Sequence, residues 1–448
     1  MILYLPLEIP TRELHGYLLL AIHAVSRGHQ VLISSSNQLN LYRRLRLVPK
    51  GAMILKNINV SDQSISLYKD YLNDGYDLYA LDQEPSILWN EFERFLFDYN
   101  ITKNQYLPFK AVFCWGQRDT DGFKTFFHEQ ATKFINTGTP RLDLWSNKYK
   151  KLYDLGKKTG DQPYILFVSN FGFLMGERHW TEWIEPGKEH ETLQTMQHVE
   201  NFIDVIDEDQ QLLTLFIKSI RLLAQEFKTH KILIRPHPLD STKKWNNLFK
   251  GLENIFITDN SSSLSQWIND AEVVIQNGCT SAIESVVNNT PVITLGKKRL
   301  YGDLIIPSKM GLEVPALENL TEGIELCLDK ERYKKFQSGS EFFLEPIINI
   351  DSVGSSGLII DTIEELNNDQ LEQKNIGLIH LHLLSLTSYI KNFIDFIRKI
   401  FWLKNLKNVS YDMHSFDLAR DLSELAKINN LNMPTINKIS NSGVFLKK

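Results

Sequence analysis

The clearest chemical signal in the sequence is a histidine held between two prolines, in Arg235-Pro236-His237-Pro238. The apolar run 232–234 predicts a β-strand, and the prolines would end that strand and fix the backbone around the histidine. A guanidinium and an imidazole N–H at a strand end could bind a phosphate through charge-assisted hydrogen bonds. A structural turn with a surface histidine is the alternative, and this motif alone does not separate the two.

A second polar turn, Gln276–Glu284, follows the apolar strand predicted at 273–275. Gly278 permits a tight turn, and the hydroxyls of Thr280 and Ser281 would then stand at a helix N-terminus, where anions bind. Glu284, about one turn further on, could accept hydrogen bonds from ribose hydroxyls. Helix capping by Thr280 or Ser281, completed by Glu284, is compatible with that role. Together the two motifs favour nucleotide binding.

Two carboxylates, Asp82 and Glu84, follow an apolar strand predicted at 78–81. A carboxylate at such a sheet edge can act as a base for a hydroxyl or as a nucleophile, and we rank Glu84 before Asp82. The N-terminus of a helix is the equal alternative, because Asp, Glu and Pro all belong there.

Three further residues are candidate substrate contacts: Arg12, Glu13 and Arg141. The start of an amphipathic helix accounts equally well for Arg12 and Glu13, and a contact between Arg141 and Asp143 is slightly favoured over substrate binding. Asp207-Glu208-Asp209 has the Asp-x-Asp form of a metal site. It precedes a helix predicted at 210–227, where acids stabilise the helix start, so we reject the metal interpretation and predict no metal site.

The elements that must position these residues alternate between strand and helix, which predicts parallel sheets. Parallel sheets bind ligands at the carboxyl ends of their strands. We predict an α/β fold with two Rossmann-like domains, residues 1–150 and 160–345, facing a cleft. A helical C-terminal extension covers 350–448, and the polar segment 171–206 is expected to be an insertion or mobile loop.

The long helical stretch predicted at 378–403 carries apolar residues on most faces and cations towards its end. It could touch an anionic membrane surface, but packing across the two domains is preferred. No stretch is apolar and long enough to span a membrane, and the N-terminus lacks the basic region of a signal peptide.

Composition excludes several classes of protein. The 448 residues are 43% hydrophobic and 23% charged, with a net charge of −5, which argues against disorder and against nucleic acid as a partner. The three cysteines are too widely spaced for a disulfide framework or a thiolate zinc site, and they suit a reducing cytoplasm.

The order of these motifs resembles the donor-binding half of GT-B glycosyltransferases. It is most similar to the bacterial surface carbohydrate biosynthesis proteins, which are related to capsule and lipopolysaccharide Kdo transferases. The resemblance runs from Met1 to about Leu295. It also rests on the segments Leu5–Glu8, Arg12–Leu14, Leu81–Glu84, Cys114–Gly116 and Thr137–Asp143.

The resemblance implies a transfer of Kdo or a similar acidic sugar from a CMP-linked donor to a surface polysaccharide or lipid-linked glycan, without a further cofactor. It implies that the His-Pro element and the Thr-Ser turn hold the nucleotide phosphate. It also implies an acidic loop at Asp82–Glu84, although Gln83 and Pro85 depart from the family pattern. The expected location is the cytoplasm, with peripheral contact to the inner membrane or to a polysaccharide assembly complex.

Three other functions stay open. A polyol-phosphate transferase using CDP-glycerol would reuse a similar His-Pro element and Ser-rich turn. A sugar-nucleotide epimerase shares the double-Rossmann architecture. A non-catalytic nucleotide- or glycan-binding partner would explain the altered acidic loop.

Overall fold

A computed structural model describes most of the chain. The described residues are 1–56, 58, 62–81, 92, 96, 101, 106–153, 162–185, 195–258, 262–296, 305–345, 347–348, 354–367, 375–402, 413, 416–441 and 443–448. They form two compact units. The first contains Met1–Leu152, apart from a few residues, together with the chain after Glu345, and the second contains Tyr153–Glu345.

Fourteen strands are present in the described residues. They are β1 (Ile2–Leu7), β2 (Gln30–Ser35), β3 (Ala52–Leu55), β4 (Asp77–Leu81), β5 (Ala111–Cys114), β6 (Phe134–Asn136), β7 (Tyr164–Val168), β8 (Lys231–Arg235), β9 (Ile255–Ile257), β10 (Val273–Gln276), β11 (Val292–Leu295), β12 (Leu312–Val314), β13 (Thr435–Ser440) and β14 (Gly443–Lys447).

The described helices are α1 (Pro10–Ser26), α2 (Ser36–Arg44), α3 (Asp62–Asn73), α4 (Gln117–Phe126), α5 (Pro140–Asp143), α6 (Gly172–Met175), α7 (Met196–Glu226), α8 (Thr242–Leu248), α9 (Leu264–Asn269), α10 (Ser281–Val287), α11 (Leu320–Leu328), α12 (Lys330–Leu344), α13 (Ser355–Glu365), α14 (Leu378–Trp402) and α15 (Leu418–Ile428). Short 3-10 helices lie at His128–Lys133, Asn147–Tyr153, Trp180–Trp183, Ile306–Lys309 and Leu317–Asn319.

The sheet of the first unit has eight strands in the order β13-β14-β2-β1-β3-β4-β5-β6. Strands β1 to β6 are parallel. All six residues of β1 are buried, as expected for a central strand of a parallel sheet covered on both faces.

The C-terminal part of the chain belongs to the first unit. Its helices α13 to α15 fit the predicted helical region, but β13 and β14 were not predicted. Strand β14 pairs antiparallel with β2, and β13 pairs antiparallel with β14. The tail therefore extends the first sheet instead of ending as helices alone.

The second unit is built on six parallel strands in the order β12-β11-β10-β7-β8-β9. Its core packs the inner face of the sheet against α7 and α8, with Phe167, Phe216 and Trp245 fully buried. These two parallel-sheet units confirm the predicted α/β fold with two Rossmann-like units.

Helix α7 begins earlier than the sequence analysis placed it. The predicted start was residue 210, whereas α7 runs from Met196 to Glu226, with Thr195 capping its first turn through a hydrogen bond from His198 N–H. The prediction of an insertion or mobile loop over residues 171–206 was therefore partly wrong. Within it the structure has α6, a 3-10 helix at Trp180–Trp183 and the first turns of α7.

No helix among the described residues is long and apolar enough to cross a membrane. Helix α14 packs against β13 through one face only, which buries Leu384 and Ser388. Its other described faces are exposed.

Candidate functional site

The second sheet reverses its strand order beside β7. From β7 the chain builds β8 and β9 on one side, and then crosses to build β10, β11 and β12 on the other. The switch point thus lies between β7 and β10, at the edge where the parallel strands end. In open α/β sheets this is the position at which ligands bind.

Three segments follow the strands around this point: Ser169–Asn170 after β7, Pro236–Ser241 after β8, and Asn277–Thr280 after β10. We call them the switch-point loops. Two hydrogen bonds tie them together: Ser169 Oγ donates to Asp240 Oδ2 at 2.6 Å, and Asn170 Nδ2 donates to the Gly278 carbonyl at 3.3 Å.

The ring of His237 has a defined orientation in the loop after β8. The backbone N–H of Leu239 donates to His237 Nδ1 at 3.2 Å. A neutral imidazole that accepts at Nδ1 carries its proton on Nε2, so Nε2 is the nitrogen that can donate to an oxyanion. Gly172 permits the close approach of the neighbouring turn, because a Cβ atom there would lie 3.2 Å from His237 Nδ1.

A buried carboxylate holds this loop in place. Besides Ser169, Asp240 Oδ2 accepts hydrogen bonds from His237 N–H at 3.1 Å and from Trp245 Nε1 at 2.9 Å. The side chain is buried and charge-assisted bonds of this kind are among the stronger ones in proteins. Sequence reasoning missed Asp240. The signal that could have revealed it is the Asp240-Ser241 pair directly before α8, where Ser241 caps the helix.

Gln276 shapes the turn after β10. Its Oε1 accepts hydrogen bonds from the backbone N–H groups of Gly278 at 2.5 Å and Cys279 at 2.8 Å. Its Nε2 donates to Thr294 Oγ1 at 2.6 Å and to the Pro307 carbonyl at 3.1 Å. The turn needs a glycine at 278 because φ there is +90°. The sequence analysis included Gln276 in this turn but did not predict its role.

Two polar side chains in this turn are buried without a hydrogen-bond partner in the described structure. They are Asn277, through both its amide atoms, and Ser281, through its hydroxyl, and each residue is 1% exposed. Buried polar groups are almost always paired, and leaving one unpaired costs about 1–3 kcal/mol. Such groups at a switch point fit a ligand that supplies the missing partners.

Helix capping does not account for the hydroxyl residues. Thr280 occupies the N-cap position of α10 but its side chain makes no capping hydrogen bond. Glu284 is buried in α10, and its Oε1 accepts a short hydrogen bond from Ser265 Oγ.

Arg235 and Glu284 both contact the segment that precedes and begins α9. Arg235 is buried at the end of β8, and its Nη2 donates to the Ser262 carbonyl at 2.6 Å. Ser265, which binds Glu284, lies three residues further along this segment. The structure thus brings Arg235 and Glu284 to one segment, and His237, Gly278 and the turn residues to the switch-point loops.

The candidates in the first unit are engaged in local structure. Glu13 is buried, and its carboxylate accepts hydrogen bonds from Glu8 N–H at 2.8 Å, from Ile9 N–H at 3.1 Å and from Arg12 Nη2 at 3.0 Å. These bonds hold the turn from β1 into α1. The first sheet has its own switch point between β1 and β3, where Glu8 and Lys56 form an ion pair that sequence reasoning did not find.

Arg141 lies over the ring of Trp145, with the guanidinium carbon 5.3 Å from the ring centroid. Asp143 caps α13, accepting hydrogen bonds at Oδ2 from Ser355 N–H at 2.9 Å and from Ser355 Oγ at 2.6 Å. Burial raises the pKa of Asp143 to about 6, and the Ser355 bonds oppose that rise.

Asp82 and Glu84 lie outside the described residues. Asp207-Glu208-Asp209 lies within α7 and not before its start, so the reason given for those acids was wrong. In the part of the chain that the structure describes, no group of three His, Cys, Asp or Glu side chains is placed to hold a metal ion.

Comparison with known proteins adds to this geometry. No protein-family model matches the chain, and no curated protein matches it in sequence. Among solved structures, the chain is similar to the wall teichoic acid polymerase TagF, in a histidine-to-asparagine variant soaked with CDPG. The TM-score is 0.50 at 13% identity, covering 83% of this chain and 90% of that one.

The chain is also similar to a putative UDP-N-acetylglucosamine 2-epimerase from Listeria monocytogenes. The TM-score is again 0.50, at 11% identity, covering 84% of this chain and 98% of that one. Likeness at this level shows the fold. The chain has the α/β architecture with two Rossmann-like units that was predicted as GT-B.

Proposed function

We propose that the chain is a glycosyltransferase that moves a sugar from a nucleotide donor to a surface polysaccharide or lipid-linked glycan. The observation that carries this proposal is the set of switch-point loops. They join His237, with Nε2 as its donor nitrogen, to a turn in which Asn277 and Ser281 are buried without partners. A nucleotide phosphate would supply oxygen acceptors for these donors.

The proposed donor is a CMP-linked acidic sugar such as Kdo. In the transfer, the bond between the anomeric carbon and the phosphate oxygen breaks, and CMP leaves with the electron pair. The acceptor hydroxyl bonds to that carbon and gives up its proton. His237, Thr280 and Ser281 would donate to the leaving phosphate, Arg235 would add positive charge, and Glu284 would accept from the ribose.

The proton of the acceptor hydroxyl needs a base, for which we propose Glu84 first and Asp82 second. Arg12, Glu13 and Arg141 stay proposed substrate contacts. No cofactor beyond the nucleotide sugar is included in the proposal. The neutral donors of the switch-point loops would hydrogen-bond the phosphate, and the guanidinium of Arg235 would supply positive charge.

A second candidate is polyol-phosphate transfer from CDP-glycerol, and the similarity to TagF, solved with CDPG, favours it. There the acceptor hydroxyl would attack the outer phosphorus, the P–O–P linkage would break, and CMP would again leave. A sugar-nucleotide epimerase, as the Listeria neighbour is described, and a non-catalytic binding partner are further alternatives.

We propose a cytoplasmic location. The free thiols of Cys114, Cys279 and Cys327 suit a reducing compartment. Partners in this proposal are the nucleotide sugar and a glycan acceptor, with peripheral contact to the inner membrane or to a polysaccharide assembly complex.

Thermal unfolding with CMP, CDP, UMP, UDP and GDP tests the nucleotide, since a ligand that binds only the folded state raises the melting temperature. We expect CMP to raise the melting temperature of the wild-type protein and not that of His237→Ala. Glu253→Ala, an exposed change in the same unit, should leave the response intact. Stabilisation by UDP or GDP alone would overturn the CMP donor, and no response would favour the non-catalytic partner.

CMP release then separates the two transfers. CMP-Kdo and CDP-glycerol are each incubated with the protein and a glycan acceptor, and free CMP is measured. Release from CMP-Kdo alone supports the sugar transfer, and release from CDP-glycerol alone replaces it with the polyol-phosphate transfer.

A further inference from the structure

Asn277 has a buried amide that a phosphate alone would leave half unpaired. The residue is 1% exposed, and neither its Oδ1 nor its Nδ2 has a hydrogen-bond partner among the described residues. The amide nitrogen donates and the amide oxygen accepts, whereas the oxygens of an ionised phosphate only accept. A phosphate would therefore pair Nδ2 and leave Oδ1 without a donor. Both ends of the amide are unpartnered, so exchanging its oxygen and nitrogen gives the same result.

The backbone on either side of this amide is held in place. Gln276 Oε1 accepts hydrogen bonds from Gly278 N–H at 2.5 Å and from Cys279 N–H at 2.8 Å. From the loop after β7, Asn170 Nδ2 donates to the Gly278 carbonyl at 3.3 Å. These bonds fix the turn after β10 at the switch point of the second sheet. Asn277 is thus positioned by its neighbours, and a ligand does not have to order the turn in order to meet it.

The groups next to a nucleotide phosphate indicate what the amide binds. Ser281, four residues further along the chain, is proposed above to donate to that phosphate. The ribose and the transferred sugar or polyol are attached directly to the phosphates and carry hydroxyls, whereas the base lies beyond the ribose. A hydroxyl both donates and accepts, so neighbouring hydroxyls can pair Oδ1 and Nδ2 of Asn277 together.

We propose that Asn277 binds neighbouring hydroxyls of the nucleotide substrate through both ends of its amide. This inference rests on the proposed function, because the phosphate site beside Asn277 brings those hydroxyls within reach. They belong either to the ribose or to the transferred group. A site built to hydrogen-bond a hydroxyl rejects an analogue that lacks it, since buried polar groups are then left unpaired. Asn277 thus selects among ligands that present the same phosphate.

Calorimetric titration of the wild-type protein and of Asn277→Leu tests this with CMP, 2′,3′-dideoxy-CMP, CMP-Kdo and CDP-glycerol, without an acceptor. Leucine is close to asparagine in size and has no polar side-chain atom. If the hydroxyls are those of the ribose, the variant should bind CMP roughly tenfold or more weakly and bind dideoxy-CMP as the wild-type protein does. If they belong to the transferred group, CMP binding should be unchanged, and CMP-Kdo or CDP-glycerol binding should weaken by that factor.

Asn254→Leu is the matched control. Asn254 precedes β9, at the end of the sheet opposite the switch-point loops, and its Nδ2 donates to the Ala224 carbonyl at 2.9 Å. This variant should melt at a lower temperature and keep its ligand affinities. Asn277→Leu should melt, without ligand, at the wild-type temperature or above it, because it loses no hydrogen bond of the described structure. If Asn277→Leu does not fold, Asn277→Ala removes the same amide with a smaller side chain and takes its place.

Two outcomes overturn the inference and leave the nucleotide site in place. One is equal weakening of CMP and 2′,3′-dideoxy-CMP binding, which would assign the amide to the phosphate or to the base. The other is wild-type affinity of the Asn277 variant for every ligand that the wild-type protein binds, and a lowered melting temperature in that case would show that the amide serves the fold. A wild-type protein that binds none of the four ligands would refute both the proposed function and this inference.

Discussion

The hydroxyl of Ser169 donates a hydrogen bond of 2.6 Å to the carboxylate of Asp240 and so joins the loops after two neighbouring strands. Since the same carboxylate oxygen accepts from the backbone of His237 and from the indole of Trp245, one buried side chain sets the position of the candidate phosphate-binding histidine. The geometry of the site therefore depends on Asp240, a residue that need not contact the ligand.

Replacing Asp240 with alanine should destabilise the second unit. Ser169 Oγ, His237 N–H and Trp245 Nε1 would each lose their acceptor in a buried environment, at a cost of about 2–5 kcal/mol in the free energy of unfolding. Urea denaturation followed by intrinsic fluorescence measures this cost. Asp204→Ala, an exposed change on α7, is the control and should alter stability by less than about 0.5 kcal/mol. Equal effects of the two changes would contradict the assigned role.

Removing the hydroxyl of Ser281 should have opposite effects on stability and on binding. No hydrogen bond of the free protein is lost in Ser281→Ala, because that buried hydroxyl has no described partner. We expect stability to be unchanged or up to about 1 kcal/mol higher. CMP affinity should fall roughly fivefold or more, as one ligand hydrogen bond is worth about 1 kcal/mol or above.

Thermal unfolding without ligand and calorimetric titration with CMP give these two quantities. Ser285→Ala is the matched control, because the Ser285 hydroxyl donates to the Ser281 carbonyl inside α10 at 2.7 Å. That variant should lose stability and keep its CMP affinity. A destabilised Ser281→Ala protein with normal CMP affinity would show that the hydroxyl serves the fold.

Apolar strands were the easiest elements to predict. The runs 78–81, 232–234 and 273–275 were predicted as strands and lie within β4, β8 and β10, because a buried parallel strand is a nearly continuous apolar run. Strand β13 was not predicted because it has no apolar run of this kind. At the sheet edge only Ile439 of this strand is buried, and the other residues are exposed or partly buried. Its sequence, Thr-Ile-Asn-Lys-Ile-Ser, therefore lacks such a run.

The residues proposed to contact the ligand could be predicted from the sequence, whereas the residues that position them could not. Both His237 and the turn at Gly278 have local sequence signals. His237 is flanked by two prolines, and Gly278 lies between a predicted strand and a predicted helix. The roles of Asp240, Gln276 and Asn170 depend on strand order, which places segments far apart in sequence at one switch point. Local patterns do not encode that order. The start of α7 was missed although Met196, Val199, Ile203 and Ile206 recur at helical spacing, because polar residues separate them and most side chains of its first turns are exposed.

Strand β14 makes the C-terminal tail a structural part of the first unit. Phe445 is fully buried where β14 pairs with β2, with Phe445 opposite Leu32. Phe445→Ala should lower the free energy of unfolding by about 3–5 kcal/mol, as large-to-small changes in a core do. Met433→Ala, at a side chain that is 49% exposed just before β13, is the control and should cost less than about 0.5 kcal/mol. Urea unfolding measures the free energy of unfolding of both variants. If Phe445→Ala does not change it, the C-terminal tail does not contribute to the stability of the first unit.

Asp143 should make the stability of the first unit depend on pH. Burial raises its pKa to about 6 in the folded protein, whereas an unfolded aspartate titrates near 3.9. Between these values the folded state binds more protons than the unfolded state, so stability falls as pH rises from about 4 to about 6. The difference corresponds to about 2–3 kcal/mol.

Asp143→Asn tests that assignment, since an asparagine oxygen can still accept from Ser355 but does not titrate. Urea unfolding at pH 4.5 and pH 7 should differ less in this variant than in the wild-type protein. Asp361→Asn, a change at an exposed carboxylate on α13 that pairs with Arg27, is the control and should keep the wild-type dependence in this range. An unchanged dependence in Asp143→Asn would mean that other groups titrate there and that Asp143 is charged throughout.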